Sequence, residues 1–341
     1  MRTKKYLIIH TWGIGDWLFF TPVLKALKDE YPGAEFDVII GKPLTAKAVE
    51  LYPEVKIRAV TDTLKGSSGM VKAVLSLRKN KYDAALFTAG LDSKKADMLS
   101  LLIRAKKKYA LKSLNHGPRF LSGSLPFEAG VHQVENNLKL LDLMGIARPE
   151  SPSPYLPASP VEKPASGSLL LHPGCDPRNS YKRWPAGRFS ELARRLLTSG
   201  RRVSVILGPG EEDLSRFFTG LEKNDNFKLY SRTSLTGTME IINNHELFVN
   251  TDSGLGHIAG ALGKKTVTIF GPADPEKSRV YSKRAVTVMR RDRLECMPCV
   301  RPGGRYGCED NKCLTGIEVD DVLGALGADG MFKYEKAEDA R

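Results

Sequence analysis

The feature that most constrains the fold is the alternation of short, mostly apolar runs with amphipathic segments in both halves of the chain. Apolar runs of this kind followed by helical spacing are typical of parallel sheets that helices cover on both faces. The predicted strands lie at 6–10, 36–40, 55–60, 84–88, 168–172, 203–207, 247–250 and 266–270, and the predicted helices at 17–31, 70–79, 132–144, 189–199, 211–221 and 255–262. The pattern therefore predicts an α/β protein with doubly wound parallel sheets.

A proline-rich segment near the middle divides this pattern in two. Between residues 148 and 166, six prolines are mixed with Ser and Ala, and such a segment favours neither a helix nor a central strand. We therefore predict two Rossmann-like domains, 1–150 and 165–330, joined by a linker at 148–166. Doubly wound domains bind ligands at the carboxyl ends of their strands, so we expect an interdomain cleft there. No internal repeat is visible in the sequence.

The charge of the chain is strongly positive and unevenly distributed. Of the net charge of +13, residues 1–150 hold 24 Lys+Arg against 15 Asp+Glu (+9), and residues 151–341 hold 28 against 24 (+4). A basic surface attracts nucleic acid, anionic lipid or anionic substrates, although a merely well-solvated face fits the charge equally well. Aromatic residues are not interleaved with the basic ones, so nucleic acid is not the expected partner.

The composition favours a cytoplasmic globular protein. Hydrophobic residues make up 41% of the chain, which is enough for a core. No apolar run approaches the ~18 residues of a membrane span, and the N-terminal apolar run is too short for a signal peptide.

Four loops, each between a predicted strand and helix, contain candidate functional residues. The first contains Gly13, Gly15 and Asp16. The glycines permit a tight turn and close approach of a ligand, but the third glycine of a dinucleotide-binding fingerprint is missing. Asp16 is either an acid facing the cleft or a helix cap, and its position fits both readings.

The second and third loops offer a cationic and an acidic group. In the second, Lys182 and Arg183 precede Pro185, a favoured first-turn residue, and predict an anion site at a helix N-terminus. A solvated loop anchored by its Trp is the alternative. In the third, a carboxylate at Glu211 or Glu212 suits the hydroxyls of a ribose, or complements the helix dipole.

The fourth loop is the most specific. It reads Asp252-Ser253-Gly254-x-x-His257 and is followed by Gly271-Pro272-x-Asp274-Pro275. Small hydrogen-bonding residues before a helix predict a cradle for phosphate. His257, taken alone, fits a core histidine equally well.

These four motifs, in this order, resemble glycosyltransferase family 9, the heptosyltransferases of bacterial lipopolysaccharide core assembly. The resemblance covers nearly the whole chain. It implies the GT-B architecture, with an N-terminal acceptor domain whose first loop carries Gly13 and Gly15. It also implies a C-terminal domain for a nucleotide-sugar donor, typically ADP-heptose. The implied enzyme inverts the anomeric carbon and acts on anionic lipopolysaccharide core, in peripheral contact with the cytoplasmic face of the inner membrane.

The resemblance also implies roles for individual residues. Asp16 matches the family's proposed catalytic base, Lys182 a donor contact and Glu211 a nucleoside contact. The donor phosphates fall on the segment that includes Asp252, Ser253, Gly254 and His257. Helix N-termini and Lys182 can stabilise the leaving diphosphate, so we expect catalysis without a metal or other cofactor.

Other functions remain open at this stage. A family-9 transferase with another sugar or acceptor would have the same motifs. A non-catalytic binder of nucleotide sugars would keep the loops of the second half but would not need Asp16. A nucleic-acid binder is the alternative that the charge alone allows.

Four cysteines cluster in the sequence and could enclose a structural Zn ion. These are Cys296, Cys299, Cys308 and Cys313. The first two form a C-x-x-C pair, whereas the last two are separated by four residues instead of two. Reduced thiols in a loop are the alternative, and a disulfide is disfavoured in a cytosolic chain.

Overall fold

A computed structural model of the chain describes residues 3–62, 68–88, 93–112, 120–157, 165–292, 294–300, 308 and 310–327. The chain divides into two compact units, Met1–Pro157 and Ala158–Arg341. Each unit contains one six-stranded sheet. The strand pairs of both sheets are parallel. The predicted fold class, two Rossmann-like α/β domains, is therefore confirmed.

The first unit builds its sheet around β1, whose residues from Tyr6 to His10 are buried. Burial on both faces explains why this strand is an unbroken apolar run. The strand order is β3-β2-β1-β4-β5-β6. The elements are β1 (Lys5–His10), α1 (Ile14–Glu30), β2 (Glu35–Ile40), α2 (Pro43–Val49), β3 (Val55–Val60), α3 (Ser68–Ser76), β4 (Tyr82–Phe87), α4 (Ser93–Leu102), β5 (Ala105–Lys112), β6 (Gly123–Pro126) and α5 (Gln133–Met144).

The second unit has the strand order β12-β11-β10-β7-β8-β9, with β7 and β10 paired at the centre. The elements are β7 (Ala165–His172), α6 (Ala186–Thr198), β8 (Arg202–Leu207), β9 (Phe227–Ser231), α7 (Leu235–Asn244), β10 (His245–Thr251), α8 (Gly254–Ala261), β11 (Lys265–Ile269), α9 (Pro275–Ser278), β12 (Ala285–Val288), α10 (Lys312–Thr315) and α11 (Val319–Gly327), with 3₁₀ helices at Pro177–Lys182, Glu212–Phe218 and Leu221–Lys223.

The two sheets share one topology. If the strands are numbered from the first of each unit, both sheets have the order 3-2-1-4-5-6. This architectural repeat leaves no visible trace in the sequence. Among the residues that the structure describes, no helix is long and apolar enough to cross a bilayer.

The α-helix predicted at 211–221 is wrong. Two 3₁₀ helices occupy this region, and Gly220 between them has a φ of +89°. A left-handed residue cannot continue a right-handed helix, so the segment breaks there.

The first unit includes part of the proline-rich segment. The amide of Tyr155 donates to Oγ1 of Thr21 at 3.0 Å, and the hydroxyl of Tyr52 donates to the carbonyl of Tyr155. The Thr21 hydroxyl in turn donates to the carbonyl of Leu18 at 2.8 Å. That carbonyl would otherwise lack its helical donor, because residue 22 of α1 is a proline without an N–H. Residues up to 157 therefore belong to the first unit.

Candidate active site

Asp16 lies in the first turn of α1, directly after the carboxyl end of β1. Its Oδ2 accepts a hydrogen bond from the Gly13 amide at 3.2 Å, so Asp16 caps the helix from the third position and Gly13 is the N-cap residue. The carboxylate is only partly buried. The bond to Gly13 uses Oδ2, and a base could therefore act through the other oxygen without giving up the cap.

His10 also contacts this loop, although we did not predict it as a site residue. The ring is fully buried, and burial lowers its pKa to about 4, so it is neutral at pH 7. Its Nε2 lies 3.3 Å from the Gly13 carbonyl, which can only accept, so Nδ1 accepts from the Thr88 hydroxyl at 3.0 Å. The position of His10, at the end of a buried strand next to the loop, was the available signal.

Neither glycine of the first loop has a positive φ. Gly13 is extended, with φ −78° and ψ −178°, and Gly15 lies inside α1. A β-carbon on Gly13 would meet Oδ2 of Asp16 at an ordinary 3.6 Å. The loop therefore does not need glycine at these positions for its backbone conformation.

In the second unit, Lys182 and Asp252 form an ion pair. Nζ of Lys182 lies 2.6 Å from Oδ2 of Asp252, which follows the central strand β10. Burial would lower the pKa of Lys182, but the Asp252 carboxylate outweighs burial and raises that pKa above its ordinary value. Lys182 is thus a fixed cation at the carboxyl end of the sheet.

His172 connects two further predicted residues. Its Nε2 lies 3.1 Å from Oε2 of Glu211, and its Nδ1 lies 3.2 Å from the hydroxyl oxygen of Ser253. Burial would raise the pKa of Glu211, but the hydrogen bond and charge of His172 and the Gly208 amide lower it below the ordinary value. Gly208 also donates to Oε2, at 2.6 Å, so both bonds use the same oxygen of Glu211.

The fourth loop leads into α8 as predicted. Ser253 is its N-cap residue, Gly254 is its exposed first residue, and His257 lies one turn further and is partly buried. The Thr251 hydroxyl donates to the Gly174 carbonyl at 2.6 Å and so ties this loop to the second one. The backbone N–H groups in the first turn of α8 have no acceptor within the helix, and the N-terminus of a helix is a common binding position for anions.

Arg183 and Trp184, which follow Lys182, both donate hydrogen bonds to backbone carbonyls. Arg183 donates to the carbonyl of Cys175 at 3.0 Å. Trp184 is fully buried, and its Nε1 donates to the carbonyl of Ile317 at 2.9 Å, so the Trp anchor is present. Helix α6 follows Pro185, as predicted.

Cys299, Cys308 and Cys296 lie close enough to Cys313 to act on its charge, but the described residues form no metal-binding group. All five cysteines are free thiols, and within the described ranges no three His, Cys, Asp or Glu side chains could hold a metal ion. Cys313 is buried among apolar side chains of the core, whereas Cys296 is exposed. Burial raises the pKa of Cys313 to about 11, and the nearby thiols of Cys299, Cys308 and Cys296 act in the same direction.

The chain is similar to known proteins in sequence and in fold. The profile of glycosyltransferase family 9 (heptosyltransferase) matches residues 70–308. The chain is 23% identical over 331 residues to lipooligosaccharide heptosyltransferase 2 of Campylobacter jejuni, covering 94% of this chain and 97% of the relative. It is 26% identical over 337 residues to lipopolysaccharide heptosyltransferase 3 of Escherichia coli K12, covering 91% and 94%.

A solved structure shows the same fold. Heptosyltransferase WaaC of E. coli, determined with ADP, aligns with a TM-score of 0.72 at 20% identity, over 95% of this chain and 99% of WaaC. The family profile covers well over half of the chain, including every predicted donor-binding residue. The chain therefore belongs to glycosyltransferase family 9 and is a glycosyltransferase.

Proposed function

We propose that the protein is an inverting transferase that moves heptose from ADP-heptose to the inner core of lipopolysaccharide. The observation that carries this proposal is the cluster at the carboxyl ends of β7, β8 and β10, where Lys182 pairs with Asp252 and His172 joins Glu211 to Ser253. Two relatives that are named heptosyltransferases align with more than nine-tenths of the chain, and they support the choice of sugar and acceptor. Transfer of another sugar by the same fold is the second candidate.

The second unit would hold the donor. Lys182 and the N-terminus of α8, from Ser253 to His257, suit a diphosphate. Lys182 offers a positive charge, and the helix N-terminus offers the positive end of the helix dipole. Oε1 of Glu211, which the bonds from Gly208 and His172 do not use, would accept from a ribose hydroxyl.

The first unit would hold the acceptor and the base. Asp16 takes the proton of the acceptor hydroxyl while the hydroxyl oxygen forms a bond to the anomeric carbon. On the opposite face of that carbon, the bond to the diphosphate oxygen breaks, and ADP leaves with the electron pair. One displacement of this kind inverts the configuration.

A direct assay tests the proposal. The protein is incubated with a deacylated, heptose-free core oligosaccharide and ADP-heptose, and the product is identified by its mass gain of one heptose. Parallel reactions with UDP-, GDP- and CDP-sugars test the second candidate. If heptose transfer is absent while another donor is consumed, the ADP-heptose assignment is wrong.

We further propose that no metal ion is required for transfer. Lys182 and the helix N-terminus already supply the charge that the leaving diphosphate needs. Turnover is expected to be unchanged in EDTA. Loss of turnover that only Mg²⁺ or Mn²⁺ restores would contradict this, and loss that only Zn²⁺ restores would indicate a structural site at the cysteines.

A peripheral contact with the inner membrane is the last part of the proposal. Residues 68–112 carry 11 Lys+Arg against 3 Asp+Glu, a net charge of +8. On α4 in this segment, the apolar side chains of Met98 and Leu101 are 40% and 55% exposed. Basic residues with protruding apolar groups suit an anionic bilayer better than nucleic acid. Co-sedimentation with phosphatidylglycerol vesicles, lost in Leu101→Glu, is expected, and preferential binding to duplex DNA would contradict it.

A further inference from the structure

The three tryptophans of the chain differ sharply in exposure. Trp17 and Trp184 are fully buried, whereas Trp12 is 41% exposed. Trp12 directly precedes Gly13 in the loop that carries Asp16. Neither the fold nor the chemistry described so far requires a large aromatic ring at this position. An exposed tryptophan beside a proposed base therefore needs its own explanation.

A cation is held over this ring. Lys42 follows β2, the parallel neighbour of β1, and its Nζ lies 5.4 Å from the centroid of the Trp12 ring. The Thr45 hydroxyl donates to the Trp12 carbonyl at 3.0 Å, so α2 fixes the backbone of the tryptophan. Trp12 and Lys42 are thus placed together by two adjacent strand ends.

The charge of Lys42 is not neutralised by any carboxylate that the structure describes. Among the described residues, no Asp or Glu lies within ion-pair distance of its ammonium, whereas Lys25 and Lys28 in the same unit are paired. The aromatic face holds the ammonium in place without cancelling its charge. Such a cation remains able to bind an anionic group of a ligand.

We propose that Trp12 and Lys42 form the acceptor-sugar subsite beside Asp16. The indole ring packs against the C–H face of a sugar ring, and the Lys42 ammonium pairs with a carboxylate or phosphate of the acceptor. This inference rests on the proposed function in assuming that the acceptor is a sugar. It goes further by naming the residues that recognise the acceptor and the anionic chemistry they select.

Ligand binding at Trp12 can be measured without turnover by tryptophan fluorescence, because Trp12 is exposed and the other two tryptophans are buried. Acrylamide should quench its fluorescence in the parent protein, and a deacylated, heptose-free core oligosaccharide should protect it. Trp12→Phe should lose the quenchable fraction, and maltotriose, a neutral sugar, should give no protection. Loss of protection after dephosphorylation of the oligosaccharide identifies phosphate as the group recognised, and loss after carboxyl reduction identifies carboxylate. Unchanged quenching with the oligosaccharide at saturating ADP would overturn the proposal.

Kinetics separate the subsite from the donor site. Trp12→Ala should raise KM for the acceptor by ~10-fold or more, and Lys42→Gln by about as much, with KM for ADP-heptose unchanged. Trp12→Phe should fall between the parent and Trp12→Ala. Lys47→Gln, which removes the same charge from an exposed position on α2, is the matched control and should match the parent.

Parental acceptor KM in both Trp12→Ala and Lys42→Gln would overturn the proposal. If the parent shows no heptose transfer, the proposed function fails, and the quenching experiment still decides whether the subsite binds anionic sugars.

Discussion

A β-carbon on Gly174 would lie 2.0 Å from Cδ of Glu211, so a side chain at position 174 and the observed position of the Glu211 carboxylate exclude one another. The Glu211 carboxylate occupies this space to reach His172. The glycine of the second loop therefore makes room for a carboxylate of the proposed donor site, although it offers no chemical group itself.

Gly174→Ala is expected to displace the Glu211 carboxylate and to destabilise the protein by roughly 1–3 kcal/mol, the usual cost of overpacking. ADP affinity should fall as well, because the His172 contacts are disturbed. Melting temperature and ADP titration measure the two effects. Gly187→Ala in the first turn of α6 is the matched control, since a β-carbon there meets nothing within 4 Å. Equal behaviour of the two variants would show that Glu211 does not need this space.

Lys182→Met should weaken ADP-heptose binding by about 1–3 kcal/mol, the range of a charge-assisted contact, and should also lower stability because Asp252 is left buried without its partner. The double variant Lys182→Met with Asp252→Asn separates the two effects. It should recover most of the stability and none of the affinity. Recovery of donor affinity in the double variant would mean that Lys182 acts only through Asp252.

Asp16→Asn should lower kcat by ~10²–10⁴-fold, the range for loss of a positioned base. An asparagine oxygen can still accept from the Gly13 amide, so the cap, the melting temperature and ADP affinity should be retained. The measurement is kcat with ADP-heptose and the core oligosaccharide. A nearly parental kcat would reduce Asp16 to a capping residue, and the base would then be sought at His257 or Glu211.

Glu211 should make stability depend on pH in the acid range. Its pKa is lower in the folded protein than the ordinary 4.5. Its carboxylate therefore stabilises the fold above the unfolded pKa, and this contribution is lost as the pH falls through the folded pKa. The difference in unfolding free energy between the parent and Glu211→Gln should be full near pH ~5.5 and shrink below it. A difference that grows on acidification would contradict the lowered pKa.

The central strands and the loops that follow them were predictable because both depend on local sequence. β1 is an apolar run that ends at a loop of small and acidic residues, and α6 begins at its proline signal. By contrast, β5 contains the charged run Lys106–Lys108 and lies towards the edge of the sheet, where apolar periodicity is lost. The break at Gly220 depends on a left-handed backbone that a helical pattern does not reveal.

The candidate residues could be named from the sequence, but the contacts between them could not. Lys182 and Asp252 were both candidates, yet their pairing joins loops that are distant in sequence. His172 and His10 were not predicted as site residues, because the role of each depends on which side chains the sheet topology brings to its ring nitrogens. Such contacts arise from the order of the strands, which the sequence does not display.

The shared strand order of the two sheets has a consequence for how new specificities can arise in this protein. Each first strand leads into a loop at the same topological position, ending in an acid at Asp16 in one unit and in the Gly174 turn in the other. The two sheets have the same strand order, and the loops that follow their first strands differ in chemistry. Under the proposed division of substrates between the units, exchange of the loop after β1 would alter the acceptor while the residues proposed for the donor stay in place.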